Sequence, residues 1–121
     1  MGGTISLDVT APASTTEANA VESSVPVGPG TIKSIIAQFP AGCQYLAKLQ
    51  VSIAGFGHSR MPLLPSQTLG ASALRYIALD NDVQEFPVGL KLYWTTMLYA
   101  RLWNDDSANQ HDIKVIVNMG S

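Results

Sequence analysis

The amino-acid sequence predicts an all-β protein, an antiparallel sandwich or barrel built from seven to nine short strands. Apolar and polar residues alternate with a period of two in several segments, which is the pattern of half-buried strands. Turns rich in Gly, Pro, Asn and Asp separate these segments at the spacing typical of sandwiches and barrels. No segment combines apolar residues at helical spacing with a capping residue at its start. These three observations together exclude a helical fold.

Residues 1–30 differ in composition from residues 31–121, which form the body of what we expect to be a single domain. The first thirty residues contain no aromatic residue and open with an alternating segment whose apolar members are Ile5, Leu7 and Val9. This pattern predicts a strand with one apolar face. The strand could be the first edge strand of the sandwich, or an arm that pairs with a neighbouring subunit by strand addition. We therefore treat these three residues as candidates for a subunit-crossing element.

The later strands follow from the same periodicity. The clearest alternation is in Leu46–Ile53, whose polar side carries Lys48, Gln50 and Ser52. In the last strand the polar side carries Lys114 and Asn118 but also the apolar Ile116. A proline follows the short segment at 61–64, which therefore fits an edge strand. The predicted strands after the first are Ala20–Val27, Thr31–Phe39, Leu46–Ile53, Met61–Leu64, Ala73–Leu79, Val88–Trp94, Thr96–Asn104 and Ile113–Met119.

The segment Thr96–Asn104 predicts an outward row of large side chains. If its residues 98, 100 and 102 point into the core, then Tyr99, Arg101 and Trp103 point outward. Two aromatic residues and an arginine form the composition of an interface hot spot. Alternatively, the row packs beneath a long loop or lies in a sheet that is buried on both faces. Under the interface interpretation, replacing Trp103 with Ala weakens assembly more than it weakens folding.

Composition excludes several classes of function. Charged residues make up 13% of the 121 residues, about half the usual fraction, and the formal net charge is −2. This balance argues against nucleic-acid binding, which needs clustered Lys and Arg. The absence of an apolar run of 18 residues argues against a membrane helix, and no signal peptide is recognisable. A surface poor in charge is also typical of a chain that buries part of it in an assembly.

The sequence offers only weak candidates for chemistry. Cys43 is the single cysteine, and His58 and His111 are the only possible bases for it. Because neither histidine lies in a recognised motif, we expect Cys43 to be a small buried residue. The acidic residues Asp105 and Asp106 lack the spacing of a calcium loop and fit a solvated hairpin tip. We therefore expect no catalytic residue, no metal site and no bound cofactor.

Two further interpretations concern sugars. Asp80, Asp82 and Glu85 lie too close together in sequence to support a pair of carboxylates across a cleft, as glycoside hydrolysis requires. The aromatic residues of the second half could instead stack on sugar rings, which leaves a carbohydrate-binding module open as an alternative. These aromatic residues are Tyr93, Trp94, Tyr99 and Trp103.

Several segments of the chain resemble one family, the small β-sandwich virion proteins of tailed phages. The segments that carry the resemblance are Thr15–Glu22, Gly30–Ile32, Phe39–Cys43, Leu46–Ile53, and Leu102–Asp106 followed by His111. In size and role these proteins resemble capsid decoration, or cement, proteins, and the similarity runs from about Thr15 to Met119. It implies a jelly-roll-like sandwich, self-association that is often trimeric, and docking on the major capsid protein. It implies no active-site residue.

The sequence thus predicts a non-enzymatic virion protein, made in the host cytoplasm and located on the capsid surface. Its expected partners are copies of itself and the major capsid protein, with no nucleic acid and no membrane. The alternative is a carbohydrate- or receptor-binding module of a phage tail, which would present an exposed aromatic platform. The two differ in a testable way, because only the second predicts sugar binding in solution.

Overall fold

A computed structural model describes residues 3–54, 60–64 and 76–120 of the chain, except for the side chain of Arg60. Eight strands and one short 3-10 helix, Glu17–Asn19, make up the regular structure. The strands are β1 Gly3–Ala11, β2 Val21–Val27, β3 Gly30–Phe39, β4 Ala47–Ala54, β5 Arg60–Leu64, β6 Asp82–Leu92, β7 Thr96–Asn104 and β8 His111–Gly120.

The strands form because their apolar residues recur every second position, so that one side of each can be buried. In β4 every second residue is fully buried, including Leu49, Val51 and Ile53, while the residues between them are half-buried. The same alternation in β1, β7 and β8 supplies most of the remaining core. The apolar sides of two sheets therefore face each other and enclose one hydrophobic core.

The strand order identifies the topology as a jelly roll. Sheet A has the order β1-β8-β3-β6 and sheet B the order β2-β7-β4-β5. The antiparallel pairs β1–β8, β2–β7, β3–β6 and β4–β5 are those of one long hairpin, which has been rolled up so that its pairs fall alternately in the two sheets. The predicted fold class, an antiparallel jelly-roll-like sandwich of seven to nine strands, is confirmed.

The connections define two ends of the sandwich. At the loop end, residues 12–20, 40–46 and 105–110 join strands that lie in different sheets. At the turn end, residues 28–29 and 93–95 form short connections that contact each other. Gly28 has a φ of +92°, and a β-carbon there would lie 2.7 Å from the carbonyl oxygen of Trp94. Only glycine fits that contact, so Gly28 fixes the position of the 93–95 turn.

Most predicted strand limits agree with the structure, and two do not. β6 begins at Asp82 and ends at Leu92, so Tyr93 and Trp94 lie beyond the strand that we predicted to contain them. The first half of β6 was not predicted because it is largely polar and shows no clear alternation. β6 is an edge strand, which can carry charged and polar residues. In place of a strand at 76–79, the structure has a single bridge from Ile77 to Leu49. The predicted edge position of β5 is confirmed.

Residues 3–27 belong to the same sandwich as the rest of the chain, since β1 and β2 are the neighbouring edge strands of the two sheets. The hydroxyl of Ser23 in β2 donates to the carbonyl oxygen of Asp8 in β1 at 3.2 Å. Two features predicted from the sequence, His58 and the start of the 73–79 segment, lie outside the described residues.

Candidate contact surfaces and the loop-end cluster

Buried polar side chains join three connections at the loop end. This loop-end cluster consists of Cys43, Asn104, Asp106 and His111. The side-chain nitrogen of Asn104 donates to the carbonyl oxygens of Ala11, Pro12 and Asn109 at 3.3, 3.3 and 2.8 Å. Its side-chain oxygen accepts a hydrogen bond from the backbone amide of Asp106 at 2.9 Å. Asn104 is fully buried, so these bonds replace those that water would otherwise make.

In this cluster a histidine contacts both a cysteine and an aspartate. Nε2 of His111 lies 2.9 Å from Oδ2 of Asp106, and Nδ1 of His111 lies 3.7 Å from Sγ of Cys43. A carboxylate can only accept, so Nε2–H donates to Asp106. In a neutral ring the other nitrogen then accepts a hydrogen bond from the thiol of Cys43. The sequence offered His111 as a possible partner of Cys43, but it did not predict the bond between His111 and Asp106, which depends on the geometry of the hairpin.

The electrostatics of this arrangement favour a protonated thiol. Burial raises the pKa of Cys43, and the nearby carboxylates of Asp80 and Asp106 raise it further. A nucleophilic cysteine needs the opposite, a lowered pKa and access to substrate, whereas Cys43 is fully buried. The order of side chains resembles that of a nucleophile, a base and an acid, but the buried thiol with its raised pKa lacks both properties of a nucleophile.

Asp106 is held as a carboxylate by the loop that it organises. Its Oδ1 accepts hydrogen bonds from the backbone amides of Ala108 and Asn109 at 2.9 and 3.3 Å. The bond from Ala108 is the largest cause of a pKa lowered to about 2, and the bond from His111 comes next. The loop predicted as a solvated hairpin tip is therefore anchored at Asp106, while the exposed Asp105 pairs with Lys48.

The candidate subunit-crossing residues lie in the sandwich of their own chain. Ile5, Leu7 and Val9 all point toward the core, and Leu7 and Val9 are buried there. β1 pairs with β8 along its whole length, from Gly3 opposite Met119 to Ala11 opposite His111. These side chains therefore stabilise the monomer, and a neighbour could contact β1 only through its outer edge or its outward side.

The outward row of β7 has the predicted direction but not the predicted exposure. Trp103 is only 5% exposed, because the ring of Tyr76 covers it edge-on with the ring centroids 5.8 Å apart. The guanidinium of Arg101 lies 5.5 Å from the Trp103 ring and also bonds to Gln50 and to the backbone of Glu17. Two of the three candidate contact residues are thus used within the chain, as in the alternative where the row packs beneath a loop. Tyr99 is half-exposed.

The turn end presents the most exposed aromatic pair among the described residues. Tyr93 is 71% exposed and Trp94 is 55% exposed, with ring centroids 6.4 Å apart and ring planes tilted by 42°. Nζ of Lys91 lies 5.5 Å from the centroid of Tyr93. Both aromatic residues had been considered for sugar stacking, although we had placed them in a strand. The structure instead places both in the short turn between β6 and β7.

A groove of about 520 Å³ crosses the outer face of sheet A close to the loop end. One side of it is a row of paired residues that spans all four strands, Asp8, Lys114, Gln38 and Val83. Its other lining includes Pro40, Asn81, Asp82 and Asp112. Most of the charges that line the groove are negative. Within the described part of the chain, no group of three His, Cys, Asp or Glu side chains is placed to hold a metal ion.

The comparisons with known proteins add no identification: no family model, curated protein or solved structure matches the chain. Among the helices of the described residues, none has the length and hydrophobicity needed to cross a membrane.

Proposed function

We propose that this chain is a structural protein of a virus particle, which decorates the capsid surface and stabilises the shell without catalysing a reaction. The observation that carries the proposal is a jelly roll with few charges and several large exposed apolar side chains. Viral capsid proteins are among the main users of this topology. Among the described residues, five large apolar ones are exposed, namely Tyr45, Met61, Val83, Tyr93 and Trp94.

Charge supports the same proposal. The chain has 16 charged residues, 7 basic and 9 acidic, for an accessible surface of 6724 Å². A typical chain of this length would carry about 30. Exposed apolar groups with little charge around them favour association, because contact removes them from water.

The proposed mechanism is multivalent cementing. Each copy contacts its own kind and the shell through modest interfaces, and many such contacts in a closed lattice add up to a large resistance to rupture. The loop-end cluster suits this role, since a fully hydrogen-bonded set of loops presents a rigid end. A rigid element loses little conformational entropy when it binds.

The test uses particles made with and without the gene. We expect mass spectrometry of purified particles to find the chain in many copies, and we expect deletion particles to rupture at lower temperature. Adding back the purified chain should restore resistance. Absence from particles, or presence in only a few copies with unchanged rupture temperature, contradicts the proposal.

A variant pair sharpens the test. Tyr99→Asp changes a half-exposed residue of the predicted contact row. We expect it to restore resistance less well than the unmodified chain. Ala18→Asp changes an exposed residue of the 3-10 helix, which plays no part in the proposed contacts, and serves as the control.

The exposed pair Tyr93 and Trp94 favours one second candidate, a carbohydrate-binding module. Two tilted aromatic rings can stack on a sugar ring through its apolar face. This alternative predicts a change in Trp94 fluorescence on titration with a panel of soluble oligosaccharides, lost in Tyr93→Ala. No change with any sugar contradicts it.

A further inference from the structure

The outer face of sheet A is uncovered by the strands and the helix of the described chain. The 3-10 helix packs on β7, and Tyr76 covers Trp103 of β7, so both lie on sheet B. On sheet A the outward residues of β8 run from Asp112 through Lys114, Ile116 and Asn118 to Gly120. This face is about as long as the sandwich itself.

The charges on this face are separated along the strands. Near the loop end lie Asp8, Asp82 and Asp112 around the groove, with Lys114 as the one cation among them. Near the turn end lie Lys33 and Lys91. The side chain of Lys33 lies over Gly120, where a β-carbon would collide with it.

Lys91 reaches the same level of the sheet by register. It pairs with Thr31, and Thr31 pairs with Gly120 on its other side. The face is therefore negative at one end and positive at the other.

An apolar pair marks the middle of the face. Ile36 and Ile116 are direct neighbours on β3 and β8, and both are half-buried on the outward side. Ile116 lies four residues from Asp112 and four from Gly120, which is about 14 Å in each direction. Polar residues normally occupy such positions in a half-exposed strand, so two outward isoleucines at the midpoint indicate a contact.

We propose that two copies of this chain form a symmetric dimer through the outer faces of sheet A. The two-fold axis lies across the strands at the level of Ile116, so each strand faces its own counterpart in reverse. Asp112 then faces Lys33 of the second copy. Lys91 faces the groove of the second copy, whose charged lining is mostly acidic, and the isoleucines meet at the axis.

Shape supports the same arrangement. The most exposed large apolar residue, Tyr93, stands beside Lys91 at the turn end. The same axis carries it to the groove of the other copy, near Pro40 and Asn81. A protruding tyrosine thus meets a recess whose lining includes proline, valine and polar side chains. A self-complementary patch of this kind is what a two-fold interface requires.

The area of the face and the charges on it indicate a weak dimer. Four strands about 4.8 Å apart and nine residues long cover roughly 600 Å² per copy, or about 1,200 Å² in total. That is the lower limit for a specific protein interface. One like-charge contact opposes association, because Glu85 lies level with the axis on β6. Its carboxylate is held by Ser34 at 2.6 Å and Asn118 at 3.2 Å. We expect a dissociation constant in the micromolar range, which rises with salt.

The test is sedimentation equilibrium of the purified full-length chain over a range of concentrations. We expect a monomer–dimer equilibrium. Lys33→Asp and Asp112→Lys should each weaken the dimer about ten-fold, since each substitution alters two symmetric contacts. The double variant should return to within about three-fold of the unmodified chain. Ser24→Lys, on the outer face of sheet B, is the matched control and should change nothing.

Several results would overturn the dimer. These are a monomer at all concentrations, a trimer mass, a double variant no tighter than either single variant, or weakening by Ser24→Lys. Far-ultraviolet circular dichroism and thermal melting of each variant show whether the fold is kept. If Lys33→Asp fails to fold, Lys91→Asp tests the second charge contact with the same expected weakening.

The dimer deepens the proposed function by naming a self-contact, but the two can fail separately. If the chain dimerises in solution but is absent from virus particles, the capsid role is wrong and the interface stands. A chain that is monomeric at every concentration in solution and abundant on particles removes the interface and leaves the capsid role.

Discussion

The two tryptophans of the chain lie only nine residues apart but have opposite environments. Trp103, in the half of β7 near the loop end, is covered by Tyr76 and flanked by Arg101. Trp94, at the turn end, has more than half of its surface in water. The same residue type is therefore buried at one end, where it holds the monomer together, and largely exposed to solvent at the other.

This contrast extends to the polar groups around each tryptophan. At the loop end Asn104 and Asp106 form hydrogen bonds within the 105–110 connection and to the chain from residue 11 to residue 15. At the turn end the connections are short, and the hydroxyl of Thr95 bonds to the carbonyl of Gly28 at 3.2 Å. Long loops need internal bonds to become ordered, whereas short turns are fixed by strand geometry. The turn end can therefore expose aromatic side chains without losing order.

The largest expected effect comes from replacing the covered tryptophan. Trp103→Ala should lower the free energy of unfolding by about 3 kcal/mol, because it removes a large buried ring and the contacts of Tyr76 and Arg101. Trp94→Ala is the matched control and should lower it by less than about 1 kcal/mol. Urea unfolding followed by circular dichroism measures both. Equal losses would show that the two environments do not differ in energy.

The burial of Trp103 also changes an expectation drawn from sequence. Alternation alone made Trp103 a contact residue whose loss would weaken assembly more than folding. With Tyr76 above it, the main effect is expected on folding. Assembly of Trp103→Ala, measured on the folded fraction, should stay close to that of the unmodified chain.

The second prediction concerns the loop end alone. Asn104→Ala should lower the free energy of unfolding by about 3 kcal/mol, since it leaves buried backbone groups without partners. Asn19→Ala is the control, because Asn19 is exposed and its side chain donates only to Thr16, at 3.1 Å. Asn19→Ala should lower the free energy of unfolding by less than about 0.5 kcal/mol. Thermal melts of both variants would show the difference, and a harmless Asn104→Ala would mean that water replaces the amide.

Sequence reasoning recovered the strands because periodicity is a local property. The limits of β7 were predicted to the residue, and those of β2, β3 and β4 to within one. The pattern also placed Ile116 on the polar side of β8, where the structure has it. The outward direction of that side chain therefore follows from the sequence alone.

What sequence reasoning missed depends on distant parts of the chain. Cys43 and His111 are separated by 68 positions, and they meet because β3 and β8 are neighbours in sheet A. The cover over Trp103 comes from Tyr76, which lies outside every strand. Pattern analysis assigns a side chain to a face of a sheet, but it does not say what covers that face.

The smallest expected effect is on the pH dependence of stability, through Asp106 at the loop end. The pKa of Asp106 is about 2 in the folded chain and 3.8 in the reference state, so the unfolded chain binds a proton more readily. The stabilising contribution is therefore complete above pH 4 and is lost as the pH falls toward 2. Asp106→Asn should be less stable at pH 7 and should lose less stability between pH 5 and pH 2. Urea unfolding at a series of pH values measures this slope. Ser107→Ala, which changes an exposed residue of the same loop and leaves the carboxylate in place, should keep the unmodified slope. An unchanged slope in Asp106→Asn would mean that the loop does not depend on this carboxylate.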